Sequence, residues 1–184
     1  MHHIDDLISL FDHVFYASHN TRLVRGEDEP IYLPADGEVS YCRIIFAHGF
    51  YASAMHEIAH WLVAGKERRK LVDFGYWYCP DGRDEQQQSE FEKVEVLPQA
   101  IEWALSVSAG FPFNVSADNL NGAPTCRFQF QEKVHTKLLS LLDTGFNPRA
   151  EALMQALSAH YGTSWPLTKA QFEWQFPEEF RDAV

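Results

Sequence analysis

Phe50-Tyr51-Ala52-Ser53-Ala54-Met55-His56-Glu57-Ile58-Ala59-His60-Trp61-Leu62-Val63-Ala64 is the stretch on which the reading of this chain turns. It is a largely apolar run, and it predicts a helix from Tyr51 to Ala64 capped by Gly65. A helix turns about 100° and rises about 1.5 Å per residue, so His56 and His60 project from one face, roughly 6 Å apart along the axis. One divalent cation can bridge such a pair. Glu57 lies off the line joining them, within reach of a metal-bound water, as in zinc hydrolases that carry the same string. Without a metal, the same residues are two ordinary histidines on a half-buried helix face.

Upstream of this helix, Cys42 to Ala47 is a β-branched and aromatic segment that predicts a strand, and Gly49 permits the sharp turn between the two. Thr21–Val24 and Ile31–Leu33 predict further short strands. Ile4, Leu7, Ile8, Phe11 and Phe15 recur at helical spacing, giving a first helix that Ser18-His19-Asn20 ends. His2 and His3 are expected to be frayed and exposed. Downstream, Lys66, Arg68, Arg69 and Lys70 cluster where cations suit the negative end of a helix dipole, on a solvated face. Leu71 to Cys79 reads as strand or extended chain, followed by a Pro80-Asp81-Gly82 turn.

From Glu85 the pattern is helical, and Pro98 either starts a new helix or kinks a continuous one. Val134, Leu138, Leu141 and Leu142 share a face, Asn147-Pro148 caps and opens another helix, and Thr168 caps a last short one. The architecture is therefore α+β, with a small mixed β-sheet packed with helices, a zincin-like metal helix and a helical C-terminal half. It forms a single domain over residues 1–184.

The 184 residues are 46% hydrophobic, enough for one real core, and carry a formal charge of −11. That charge disfavours binding to a phosphate backbone, so no nucleic acid is expected. Cys42, Cys79 and Cys126 lack the spacing of a thiolate metal site and are odd in number, which fits a reducing cytoplasm. No stretch is long and apolar enough for a membrane span, and the polar Met1–Asp6 is unlike a secretory signal.

A catalytic metal site commonly takes three protein ligands and keeps a position open. Carboxylates of the downstream helix suit the third place. Glu95, Gln99 and Glu102 fall at i, i+4 and i+7 and share a face if the helix continues through Pro98. Glu95 ranks first, since a helix start or kink beside Pro98 re-aims it, and Glu102 second. Asp73, Asp81 and Asp84 are further candidates that nothing local promotes. His48 is an alternative ligand, although a buried, hydrogen-bonded histidine at the strand end is the plainer expectation. Two histidines and a carboxylate hold zinc in metalloproteases and iron(II) in non-haem oxygenases, so the metal stays open at this level. The His-x-Asp arrangement usual in 2-oxoglutarate oxygenases is not evident, and no 2-oxoglutarate is expected.

The segments Glu29 to Ala35 (Glu-Pro-Ile-Tyr-Leu-Pro-Ala), Arg43 to Trp61, Leu71 to Asp84, Val94 to Ala100 and Gly110 to Val115 resemble the bacterial elongation factor P hydroxylase family, over roughly residues 20 to 120. The resemblance implies an iron-type enzyme that hydroxylates the β-lysylated lysine of elongation factor P, with Fe(II) and dioxygen. It also implies helices on a small sheet and a metal motif similar to two His and one carboxylate. His56 and His60 match that motif, and Glu95 is taken as its carboxylate.

A lysylated lysine is long and cationic, and acidic loops carrying Glu27, Asp28, Glu29, Asp36, Asp81 and Asp84 suit it. Tyr76, Trp77 and Tyr78 either flank the ammonium by cation–π contact, worth about 0.5–2 kcal/mol, or pack in the core. Arg83 pairs with one of these carboxylates. The expected substrate-binding residues are thus Asp81, Arg83, Asp84 and Tyr76. In an oxygenase Glu57 orients metal-bound water or a histidine ring, whereas in the competing zinc hydrolase or peptidase it is the general base. A third reading is a metal-stabilised binding module, with His48 or Glu102 closing the site as fourth ligand. A monooxygenase that works without 2-oxoglutarate needs two electrons from a separate donor, for which no flavin, haem or pterin site is legible.

Overall fold

β1 (Thr21–Arg25) and β2 (Ile31–Leu33) flank a central β3 (Cys42–Phe46), β1 parallel to it and β2 antiparallel. The computed structural model describes residues 2–73, 82–117 and 126–177. Thr21 pairs with Cys42 and Arg25 with Phe46, a register that buries Leu23, Ile44 and Phe46. Alternation along each strand sends these side chains to the core. A Cβ at Gly26 would run into the Ile45 side chain, so only glycine lets the backbone there bond the Phe46 carbonyl.

α1 (Ile4–His19) buries Leu7, Phe11 and Phe15 and packs along β1, ending where Asn20 turns left-handed. His2 corrects one expectation. It is docked rather than frayed, its Nε2 against the Ala109 carbonyl at 2.7 Å and its ring against Tyr51, Phe111 and Tyr161.

α2 (Tyr51–Val63) follows β3 through a tight turn over Ala47–Gly49, in which both His48 and Gly49 have positive φ. α2 packs against β3 and α3 (Glu85–Ala109). Gly65 is not its cap, because the helix stops at Val63 with Ala64 extended. The last carbonyls are satisfied from elsewhere. Arg149 donates to those of Trp61, Leu62 and Ala64, Asn147 to that of Leu62, and Arg69 to that of Ala64. A guanidinium supplies several donors and positive charge, removing the need for a left-handed cap.

α3 runs unbroken through Pro98, which is buried. A proline in mid-helix costs a backbone bond, but α3 packs against α2, α4 (Arg127–Thr144) and α5 (Pro148–Tyr161), and that burial holds the helix together. Its start is fixed by a capping box between Asp84 and Gln87. α4 buries Phe130, Val134 and Leu138, Asn147 caps α5, and Thr168 caps a single 3-10 turn, Lys169–Phe172. The architecture is α+β, as expected. Most of the Leu71–Cys79 segment lies outside the described residues, and Asp73 forms an isolated antiparallel bridge with Tyr32.

Candidate metal centre

The crossing of α2 and α3 brings His56, His60 and Glu95 together. One donor atom from each lies within 4.8 Å of the others. His60 Nε2 is 3.1 Å from His56 Nε2 and 3.2 Å from Glu95 Oε1, and His56 Nε2 is 3.8 Å from Glu95 Oε2. The two rings are 4.7 Å apart and inclined at 66°, so their Nε2 atoms converge instead of stacking. Two nitrogens at about 2.1 Å from one cation are separated by roughly 3.0 Å at a right angle and 3.4 Å in a tetrahedron, and the observed spacing falls in that range.

His56 is gripped on its other side as well. Its Nδ1 is 2.8 Å from Glu102 Oε2. An ionised carboxylate only accepts, so Nδ1 carries the proton and a neutral His56 keeps its Nε2 lone pair facing His60 and Glu95. Two imidazole nitrogens and a carboxylate oxygen so close need positive charge among them, either a proton or a metal. The donor set fits a borderline divalent cation such as iron(II) or zinc.

The electrostatics of the metal-free cluster say the same. Burial works against the His56 imidazolium, but Glu102, then Glu95 and Glu57, outweigh it and hold the ring at about 10. Burial likewise disfavours ionised Glu95, yet His60, His56 and the Gln99 amide pull its carboxyl down to about 2. Glu57 goes the other way, pushed up by burial against the pull of His56 and His60 and helped upward by Glu95 and Glu102. It lies beside His60 on the wall of a small pocket of about 30 Å³, partly open to solvent, with Tyr32, Trp61, Arg68 and Asp73.

Of the carboxylates considered from sequence, Glu95 joins both histidines and Glu102 meets only the far side of His56. Asp73 faces Arg68, and Asp84 caps α3. His48 is exposed at its turn instead of buried, because its backbone takes φ 55° and its amide donates to the Glu27 carbonyl. Arg83 is 1% exposed, with Nε donating to Gln88 and the guanidinium 4.0 Å from the Phe91 ring centre, so it braces the start of α3 from inside. Asp36 pairs with Arg43 and accepts from the Glu38 and Val39 amides. Tyr76, Trp77, Tyr78 and Asp81 lie outside the described residues.

Two contributors were not assigned these roles from sequence. Gln99 ties Glu95 to the backbone of Ser116, and its place between Glu95 and Glu102 was the available signal. Arg149 gave none, since its partners on α2 are up to 88 residues away.

The family model described as elongation factor P hydroxylase matches residues 10–172. A protein named elongation factor P lysine hydroxylase, from Haemophilus influenzae, is 55% identical over 172 residues, which span 94% of this chain and 97% of that protein. The match takes in α2 and α3 whole, so this chain belongs to the elongation factor P hydroxylase family.

Proposed function

We propose that this protein hydroxylates the β-lysylated lysine side chain of elongation factor P, using dioxygen at a mononuclear non-haem iron(II) site held by His56, His60 and Glu95. The observation that carries this reading is the convergence of two imidazole Nε2 atoms and one carboxylate, from a helix pair inside the region matched by the family. The lysine hydroxylase name of the relative supplies the substrate and reaction class. When bound, iron(II) supplies the activation of dioxygen.

The chain's own residues do the rest. His56, His60 and Glu95 would hold the cation through two imidazole nitrogens and one carboxylate oxygen, and of the three His60 also lines the neighbouring pocket. Glu57, carried between the histidines, sits at the pocket wall beside His60, where burial raises its carboxyl above the ordinary carboxylate range and its oxygens can meet a group entering there. The zincin-like character of α2 belongs to the same proposal and rests on these three residues. Asp84, Tyr76, Asp81 and Arg83 remain proposed contacts of the cationic substrate. The reaction is of monooxygenase type without 2-oxoglutarate, and two electrons come from an external reductant. The surroundings are cytoplasmic, and among the described residues no helix is long and apolar enough to cross a membrane.

The test is to incubate iron-loaded protein and a reductant with β-lysylated elongation factor P, in air and under nitrogen, and weigh the product. An oxygen-dependent gain of one oxygen atom is expected. No gain in air, or cleavage of the substrate instead, would overturn the proposal in favour of a zinc hydrolase.

A further inference from the structure

We infer that Glu102 is a positioning residue, which keeps the His56 ring in the Nδ1–H form with Nε2 aimed at His60 and Glu95. This rests on the reading of His56, His60 and Glu95 as metal-holding residues and adds one that stands outside that set.

A neutral imidazole has one ring proton and two places to carry it, with little intrinsic preference. If the proton sat on Nε2 it would occupy the position a cation needs, and if the ring rotated by half a turn a carbon would face the cluster. Glu102 opposes both. Its Oε2 lies 2.8 Å from Nδ1, and the residue is 8% exposed, so water competes poorly for the bond. Rotation would leave a buried carboxylate facing a C–H group. Glu102 is not among the atoms that converge with Nε2, which separates its role from that of a fourth ligand.

The placement follows from helix geometry. Glu95 and Glu102 are seven residues apart on unbroken α3, close to two full turns, and so share a face. α2 lays His56 across that face, with Glu95 toward Nε2 and Glu102 at Nδ1. Gln99, between them and fully buried, bonds Glu95 and the Ser116 backbone, which keeps α3 from turning about its axis. One helix therefore fixes the ring from both edges.

The test uses zinc(II) as a diamagnetic probe on the full chain stripped of metal. Wild type, Glu102→Ala, Glu102→Gln and His56→Ala are titrated against a chromophoric chelator. Proton NMR of the zinc-loaded forms then locates the His56 ring N–H, and unfolding midpoints are recorded alongside. Wild type is expected to show a slowly exchanging, far-downfield Nδ1–H. Glu102→Ala is expected to bind zinc about ten- to a hundredfold more weakly and to lose that signal. Glu102→Gln keeps the shape and an accepting oxygen, so its loss is smaller and its Nδ1–H moves upfield. Zinc affinity and Nδ1–H unchanged in a folded Glu102→Ala or Glu102→Gln protein would overturn the inference, as would His56 bound through Nδ1. If His56→Ala weakens zinc binding and the Glu102 variants do not, only the positioning role falls. A wild type that takes up no zinc overturns the metal-holding triad as well.

Discussion

Gln99 donates to Glu95 through Nε2 at 3.1 Å while the same side chain brackets Ser116, donating to its carbonyl at 2.7 Å and accepting from its amide at 2.9 Å. A carboxylate of the candidate metal centre and the chain leaving α3 are thus held by one fully buried amide. Gln99→Ala removes the amide partner of the buried Glu95 carboxylate and of both Ser116 backbone groups. The expected loss is about 1–3 kcal/mol of stability, together with weaker metal binding because Glu95 gains rotamer freedom. Urea unfolding and a metal titration on the same preparation check it, and a variant as stable as wild type would remove Gln99 from this role.

Glu57 distinguishes the two chemistries open to a His-Glu-x-x-His helix. Hydrolysis needs a carboxylate base, so Glu57→Gln would then lose about 10²–10⁴-fold in rate while retaining metal. Hydroxylation needs no such base, and the amide keeps a hydrogen-bonding group of the same shape at the pocket wall. Substantial oxygen-dependent hydroxylation by Glu57→Gln, read by product mass, is the expected outcome.

The metal-free cluster gives the stability a pH dependence of definite sign. His56 is held at about 10 against an ordinary 6.5, since Glu102, Glu95 and Glu57 overcome the effect of burial. Its contribution is therefore complete below pH 6.5 and disappears as pH climbs through 10. Glu95, lowered to about 2 from 4.5, contributes above pH 4.5 and fades as pH falls toward 2. Glu57 acts in the same sense as His56, since burial favours its neutral form and its contribution shrinks as pH rises above 4.5. Unfolding midpoints of chelator-treated protein should fall between pH 6.5 and 10. Added metal competes with the His56 proton, so the rise in Tm it produces should grow over the same range. A flat profile without metal would contradict the assignment.

Arg149 lies 4.7 Å from the centre of the Trp61 ring and donates to three carbonyls at the end of α2. Burial, then the neighbouring Arg69, lower its guanidinium to about 10, so the site spends stability to keep the charge there. Arg149→Met retains the stem but not the donors. A loss of about 1.5–3 kcal/mol, or several degrees in Tm, is expected from thermal unfolding. A variant as stable as wild type would mean that water caps α2 equally well.

The two imidazoles were legible in sequence because their alignment follows from helix pitch alone, a local property of His56 to His60. The strands, the first helix and the Asn147-Pro148 cap were legible for the same reason. Local rules gave less at Gly65, where guanidinium groups, that of the distant Arg149 above all, replaced the left-handed cap, and at His2, which an aromatic cluster captured. Pro98 had two local readings, and only the packing of α3 against three other helices chose the continuous one.

By itself the sequence determined that two histidines would share a helix face and that an acidic carboxylate series would follow at helical spacing. Tertiary structure alone decided that Glu95 meets both Nε2 atoms while Glu102 takes Nδ1. Spacing along one helix defines a face, but which neighbour crosses it, and at what height, depends on how two helices pack, and that is set by the whole core.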